Sequence, residues 1–191
     1  MSEACEVRLV VAVAGLPGSG KSTLAKKLAE QLRLRYVSSG SIFRNIAKER
    51  GLTLEELSKL AEEDPNIDRY IDTKAYEEAM KGCVVVDAHI AGWILKDVAD
   101  VKIFLQASLN ARANRIAVRD GKSFEEALNE VKLREASESR RFKEFYGIDF
   151  SDLSVYDLII NTEVFNAEET LDIALKAVEF VLKRKLLKSK A

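Results

Sequence analysis

The chain has 191 residues, of which 47% are hydrophobic and 32% charged, and its formal net charge is -1. That length suits a single domain with a substantial core, and that apolar share excludes a disordered chain. A charge so near zero argues against a broad nucleic-acid-binding face, and no apolar run is long enough to span a membrane.

Ser2-Glu3 opens no secretory signal, so a cytoplasmic protein is expected. Cys5 and Cys83 lie far apart with no Cys-x-x-Cys, which suggests neither a disulfide framework nor a zinc site. The first element is the apolar run Val7 to Ala14, a buried strand. It passes into Gly15-Leu16-Pro17-Gly18-Ser19-Gly20-Lys21-Ser22-Thr23 and then into the helix start Leu24-Ala25-Lys26-Lys27-Leu28-Ala29. Strand, glycine-rich turn and helix together are the setting that a phosphate-binding loop requires. The glycines let successive N–H groups turn inward at an anion, and the helix N-terminus adds partial positive charge. Lys21 adds a full charge and the Ser22 hydroxyl can bind Mg²⁺. A merely tight turn would not explain Lys21, so a nucleoside triphosphate site is expected here.

The first helix runs from about Lys21 to Leu32, and Leu34-Arg35-Tyr36-Val37 reads as a short strand. Ser38-Ser39-Gly40-Ser41 follows, with Ser41 the expected N-cap of a helix through Ile42 to Ala47 that Gly51 stops. Thr53-Leu54-Glu55-Glu56 is a capping box for the next helix, Asp64-Pro65-Asn66 breaks it, and another helix spans about Ile67 to Met80. Cys83 to Asp87, Val101 to Leu105 and Tyr156 to Asn161 are continuous β-branched runs, five strands in all. Such runs separated by helices indicate a parallel sheet covered on both faces. Helices are expected over about Ser108 to Asp120, Ser123 to Phe145 (with capping box Ser123 to Glu126 and stop Gly147) and Ala167 to Leu187. The basic end of the last helix complements its dipole.

Ligands bind beyond the carboxyl ends of parallel strands, where Asp87 stands. It is either the acid that holds Mg²⁺ through water or a helix cap. Arg112, Arg115 and Arg119 share one helix face on which their own helix offers no acid three or four residues away, as a polyphosphate would demand and a solvated face would tolerate. Arg134, Glu138 and Arg141 share the next helix, where Glu138 can simply pair with either arginine. Arg44, after the small hydroxyl residues Ser39 and Ser41 and Gly40, marks a second anion site. Two phosphate sites at one sheet edge imply a donor and a phosphorylated acceptor. His89, the single histidine, is a substrate contact or a plain polar residue. Trp93 can shelve a base but suits core packing better, and Asp68 and Asp72 share a face that is either base-recognising or simply acidic.

These segments together resemble the nucleoside monophosphate kinases, and within them the archaeal-type (type 2) cytidylate kinases. The resemblance runs from Val7 to about Ala177. It rests on Gly15 to Thr23, Ser39 to Arg44, Ala61 to Asp72, Asp87 to Trp93, Arg115 to Asp120, Glu138 to Asp149 and Asp152 to Thr162. It implies a doubly wound, three-layer P-loop fold with a core at residues 1–37, 83–118 and 150–191. A monophosphate-binding lobe would occupy residues 38–82 and a short helical lid residues 119–149. It implies ATP with Mg²⁺ as donor, CMP or dCMP as acceptor, and a monomer. By position, Lys21 and the loop hold the donor, Ser22 and Asp87 the metal, and Arg44 the acceptor phosphate. Arg115, Arg119, Arg134 and Arg141 surround the transferring group. Where familiar cytidylate kinases read Asp-Gly-Arg-Asp, this chain reads Asp87-Ala88-His89-Ile90, which can pass an acceptor contact to His89. Adenylate kinases would show Asp-Gly-Phe-Pro-Arg there. Kinases of UMP, AMP or another metabolite, or a P-loop switch, are the alternatives.

Overall fold

The structure, a computed structural model, describes residues 7–188. Five strands form one wholly parallel sheet: β1 (Val10–Gly15), β2 (Arg35–Ser38), β3 (Val84–Asp87), β4 (Val101–Gln106) and β5 (Leu158–Asn161), in the order β2-β3-β1-β4-β5. Every residue of β1 is buried, as expected of a strand covered on both faces. Its alternation sorts the core. Val11 and Val13 pack with Leu24 and Leu28 of α1 (Lys21–Gln31) and with Ala174 and Val178 of α8 (Ala167–Lys188). Val10, Ala12 and Ala14 face the opposite layer, with Ala75 and Ala79 of α4 (Pro65–Met80) and Ala91 of α5 (Ala91–Ile94). This is the expected three-layer α/β architecture.

Between β2 and β3, α2 (Ser39–Arg50), α3 (Leu54–Glu63) and α4 make a lobe with its own apolar cluster of Ala47, Leu57, Ala61, Ile67 and Ile71. Between β4 and β5, α6 (Leu109–Asp120) and α7 (Phe124–Tyr146) pack through Ile116, Ala117, Ala127 and Val131. Both capping boxes form, and Gly51, Gly121 and Gly147 close their helices in the left-handed conformation.

Three local expectations change. The N-cap of α2 is Ser38, not Ser41: its hydroxyl accepts from the Ser41 N–H at 3.3 Å. Strand therefore passes to helix without a loop, and Ser39-Gly40-Ser41 become the first helical turn. β5 begins at Leu158 because the Tyr156 N–H closes a turn onto the Leu153 carbonyl. Cys83 is disulfide-bonded, contrary to the expectation of no such link; the other cysteine, Cys5, lies outside the described residues.

The single turn α5 was not legible as a helix, yet it sits tightly against the sheet. Tyr156 packs on Phe104 with ring centroids 5.0 Å apart, and a Cβ on Gly92 would lie 2.3 Å from the Tyr156 ring. Gly92→Ala is therefore expected to destabilise the fold by about 1–3 kcal/mol through overpacking, read as a lower midpoint in chemical denaturation.

Candidate active site

The loop after β1 is shaped for an anion. α1 starts at Gly20 with no side-chain cap and no acid in its first turn, so its free N–H groups and dipole face the loop. The Ser19 hydroxyl is buried without a protein partner. Gly18 has φ +81° and its Cβ would lie 2.5 Å from the Arg112 carbonyl oxygen, so α6 backs directly onto the loop.

The arginine stripe of α6 is divided in its use. Arg112, only 4% exposed, donates to the Ala107 carbonyl at 3.0 Å, to the Pro17 carbonyl at 3.2 Å, and to Glu135 of α7. Arg115 donates to the Gly18 carbonyl at 3.3 Å and to both oxygens of Thr162. Arg119 pairs with its neighbour Asp120 on the exposed surface. The acids that α6 itself lacks on this face are thus supplied to Arg112 by the adjoining helix.

At the sheet rim, Ser38 lies beside Asp87 in the β2–β3 register. The Tyr36 hydroxyl donates to Asp87 Oδ2 at 2.8 Å and is also within reach of the Ser22 and Ser38 hydroxyls. Burial and the Asp87 carboxylate raise the Tyr36 phenol to about 12, so it stays a donor. Asp87 Oδ1 is buried and has no protein partner. A hydroxyl and one half-free carboxylate are hard oxygen donors, a set that fits a cation finished by phosphate and water. Among the described residues no cluster of three acidic, histidine or cysteine ligands exists that would hold a metal without such help. Lys21 is pushed down to about 8 by desolvation, against the pull of Asp87 and Glu138 and with help from Arg134 and Arg119. An anion entering the loop would favour its charged form.

His89 Nδ1 contacts Glu138 Oε2, and Arg134 Nε donates to Glu138 Oε1 at 2.9 Å. Burial pushes the imidazole down to about 4 despite Glu138, so it is neutral and Nδ1–H is the donor. Burial alone would raise the Glu138 carboxyl, but the Arg134 charge and the hydrogen bonds from Arg134 and His89 hold it below the usual range. Arg119 and Arg134 thus stand within electrostatic reach of Lys21. Arg141 is placed differently: it forms a buried ion pair with Asp68 of α4, and its Nε is left without a partner.

In the lobe, Arg44 donates to the Ser41 hydroxyl at 3.0 Å, and its guanidinium would lie 3.5 Å from a Cβ on Gly40. The Ser39 hydroxyl is buried and unpartnered. Asp72 accepts from the Tyr146 hydroxyl at 2.7 Å beside a cavity of about 390 Å³ lined by Asp72, Tyr76, Trp93, Tyr146 and Ile148. Trp93 Nε1 is buried without a partner. Burial raises the Asp72 carboxyl to about 7, while Tyr146 opposes the shift.

Sequence reading missed Tyr36, Tyr146 and the bracing use of Arg112. Only the β2–β3 pairing brings Tyr36 to Asp87, and no local pattern announces that pairing.

Residues 10–164 match the family model described as the cytidylate kinase-like family. The chain is 49% identical over 175 residues to the cytidylate kinase of Staphylothermus marinus, covering 92% of this chain and 99% of that one. It is 46% identical over 172 residues to the cytidylate kinase of Pyrococcus horikoshii, covering 90% and 89%. Among solved structures, an uncharacterized protein from Eubacterium ventriosum superposes with a TM-score of 0.68 at 20% identity, covering 90% of this chain and 99% of that one. The shikimate kinase of Bacteroides thetaiotaomicron gives 0.61 at 15%, covering 91% and 99%. Those two share the fold.

A carboxyl whose pKa is higher in the folded than in the unfolded state stabilises the fold fully below its ordinary value of 3.8. That contribution is lost as pH rises through about 7. Asp72→Asn stays neutral and still accepts from Tyr146. Its melting temperature, measured against wild type from pH 5 to pH 8, is expected to gain on wild type across that range.

Proposed function

We propose a function from one premise: the chain belongs to the cytidylate kinase-like family. It transfers the γ-phosphoryl group of Mg·ATP to the 5′-phosphate of CMP or dCMP, giving ADP and CDP or dCDP. The observation that carries this reading is the strand order. The loop with Lys21 leaves β1, the Ser39-Gly40-Ser41 turn with Arg44 leaves β2, and β3 with Asp87 at its end runs between them. Two strand spacings separate the two anion sites, roughly 10 Å, with the carboxylate in the gap. That spacing supports a donor and an acceptor phosphate meeting over a metal.

In this reading the loop N–H groups and Lys21 hold the donor phosphates, while Arg44 and the first turn of α2 hold the acceptor phosphate. Ser22 and Asp87 would hold Mg²⁺, which when bound neutralises phosphate charge. Arg119 and Arg134 meet the charge that develops on the transferring group, and Arg115 keeps the loop in register. Residues 119–149 act as the lid over the lobe at residues 38–82, and Arg141 with Asp68 ties one to the other. Trp93 and Asp72 line the space offered to the base, and His89 stands at the β3 rim. Transfer needs little covalent help from the protein, so positioning and charge dominate. The partners are small molecules in the cytoplasm, the enzyme works as a monomer, and the net charge of -1 offers nucleic acid no broad basic face.

ADP release with ATP and a panel of CMP, dCMP, UMP and AMP is expected to be greatest with the cytidine nucleotides. Equal ATP hydrolysis without any acceptor would instead indicate a nucleotide switch. Lys21→Ala is expected to lower kcat about 100-fold or more with the circular-dichroism spectrum unchanged. Arg44→Ala is expected to raise KM for CMP about tenfold or more and leave KM for ATP nearly constant, since a charge-assisted contact contributes about 1.5–3 kcal/mol. An equal rise in both would overturn the two-site assignment.

A further inference from the structure

Glu138 is 6% exposed, one of the few carboxylates the fold buries, and both of its oxygens are occupied by different parts of the molecule. Oε1 accepts from Arg134, one turn earlier on α7. Oε2 meets Nδ1 of His89, two residues past the end of β3. Arg141, the other arginine on its helix face, is not its partner but belongs to Asp68. A buried carboxylate is tolerated only where charge and hydrogen bonds match it, so its placement here is specific. The charges that face this pair are Lys21 on α1, Asp68 on α4 and Arg134 on α7, and Asp87 on β3 and Arg119 on α6 act in turn on Lys21.

We infer that Glu138 is a positioning residue for phosphoryl transfer: one carboxylate fixes the His89 ring at the β3 rim and the Arg134 guanidinium beside Lys21. Seating α7 and assembling the charged centre are then a single event. The inference rests on the kinase reading for its kinetic consequence, but not for its geometric one.

The geometric arm needs no nucleotide. His89 is the single histidine of the chain, so its ring nitrogens give one unambiguous set of ¹⁵N signals. At neutral pH the wild-type ring is expected as the Nδ1–H tautomer, and Glu138→Gln is expected to relax that preference. An Nε2–H ring in the wild type would overturn the inference. In the kinetic arm, Glu138→Gln is expected to lower kcat at least tenfold while KM for ATP and for CMP changes less than threefold. His89→Asn, which keeps a donor where Nδ1–H stood, is expected to keep more of kcat than His89→Leu, which is expected to lose about as much as Glu138→Gln. The double variant Glu138→Gln/His89→Leu is expected to be no worse than either single one, since both remove the same contact. Unchanged kcat in Glu138→Gln, or losses that multiply in the double variant, would reduce Glu138 to a structural ion pair. If Glu138→Gln does not fold, the comparison of His89→Asn with His89→Leu decides, and equal kcat overturns the inference. A wild type without CMP-dependent turnover would overturn the proposed function and the kinetic role together, and the tautomer would still report the geometry.

Discussion

The phosphate loop can aim its backbone N–H groups inward only because its carbonyls are held from behind. The Leu16 carbonyl accepts from the Ser19 N–H at 3.1 Å, and the Pro17 carbonyl from Arg112. The Gly18 carbonyl accepts from Arg115, and the Ser19 carbonyl from the Thr162 hydroxyl at 3.1 Å. Four successive acceptors are thus satisfied by the loop itself, by α6 and by the end of β5. A loop left to satisfy these groups with water would have no reason to keep its amides convergent. The site therefore depends on the β4–α6 and β5 segments as much as on the loop residues themselves.

The long helix α7 extends this dependence across the molecule. At 23 residues it is about 34 Å long. Its N-terminal half packs on α6, and Glu135 meets Arg112. Further along, Glu138 meets His89 at the sheet rim, while Ser137, Arg140, Arg141 and Tyr146 meet Ser58, Glu62, Asp68 and Asp72 of the lobe. One helix thereby touches the backing of the phosphate loop, the sheet rim and the lobe between β2 and β3. Each contact is polar and paired, and polar pairs fix geometry more sharply than apolar packing does.

Local signals were legible wherever their physics is local. Capping boxes at Thr53 and Ser123, the helix stops at Gly51 and Gly147, and the β-branched runs of the sheet all depend on a few neighbouring residues. The arginine stripe on α6 was also visible as a stripe, because helical spacing fixes it. What each arginine does was not visible, because Arg112 and Arg115 find their partners 95 and 97 residues away. The Tyr36–Asp87 and His89–Glu138 contacts depend likewise on strand order and on where α7 lies. The helix start at Ser38 was misplaced for a simpler reason: four small polar residues in a row offer several plausible caps, and only the strand's end selects one. The single turn α5 carries no periodic pattern at all, being shorter than the repeat that would announce it.

Exposure sorts the arginines by what re-pairing would cost. The side chains of Arg112 and Arg141 are only 4% and 5% exposed, and each is bound to a carboxylate. Removing either from its partner would strand a buried charge, a penalty of roughly 3–5 kcal/mol. The side chains of Arg119 and Arg134 are 65% and 44% exposed, and each is paired with an acid of its own helix. The Arg119–Asp120 pair is exposed on both sides and contributes only about 0–1 kcal/mol, whereas Arg134 sits on Glu138, whose side chain is only 8% exposed and would lose a partner without it. Both arginines bear on Lys21, but only Arg119 can exchange its acid at little cost. Arg112 and Arg141 hold the loop and the lobe in place around them. Spacing put these side chains on two helix faces, and burial shows which of them the fold itself holds.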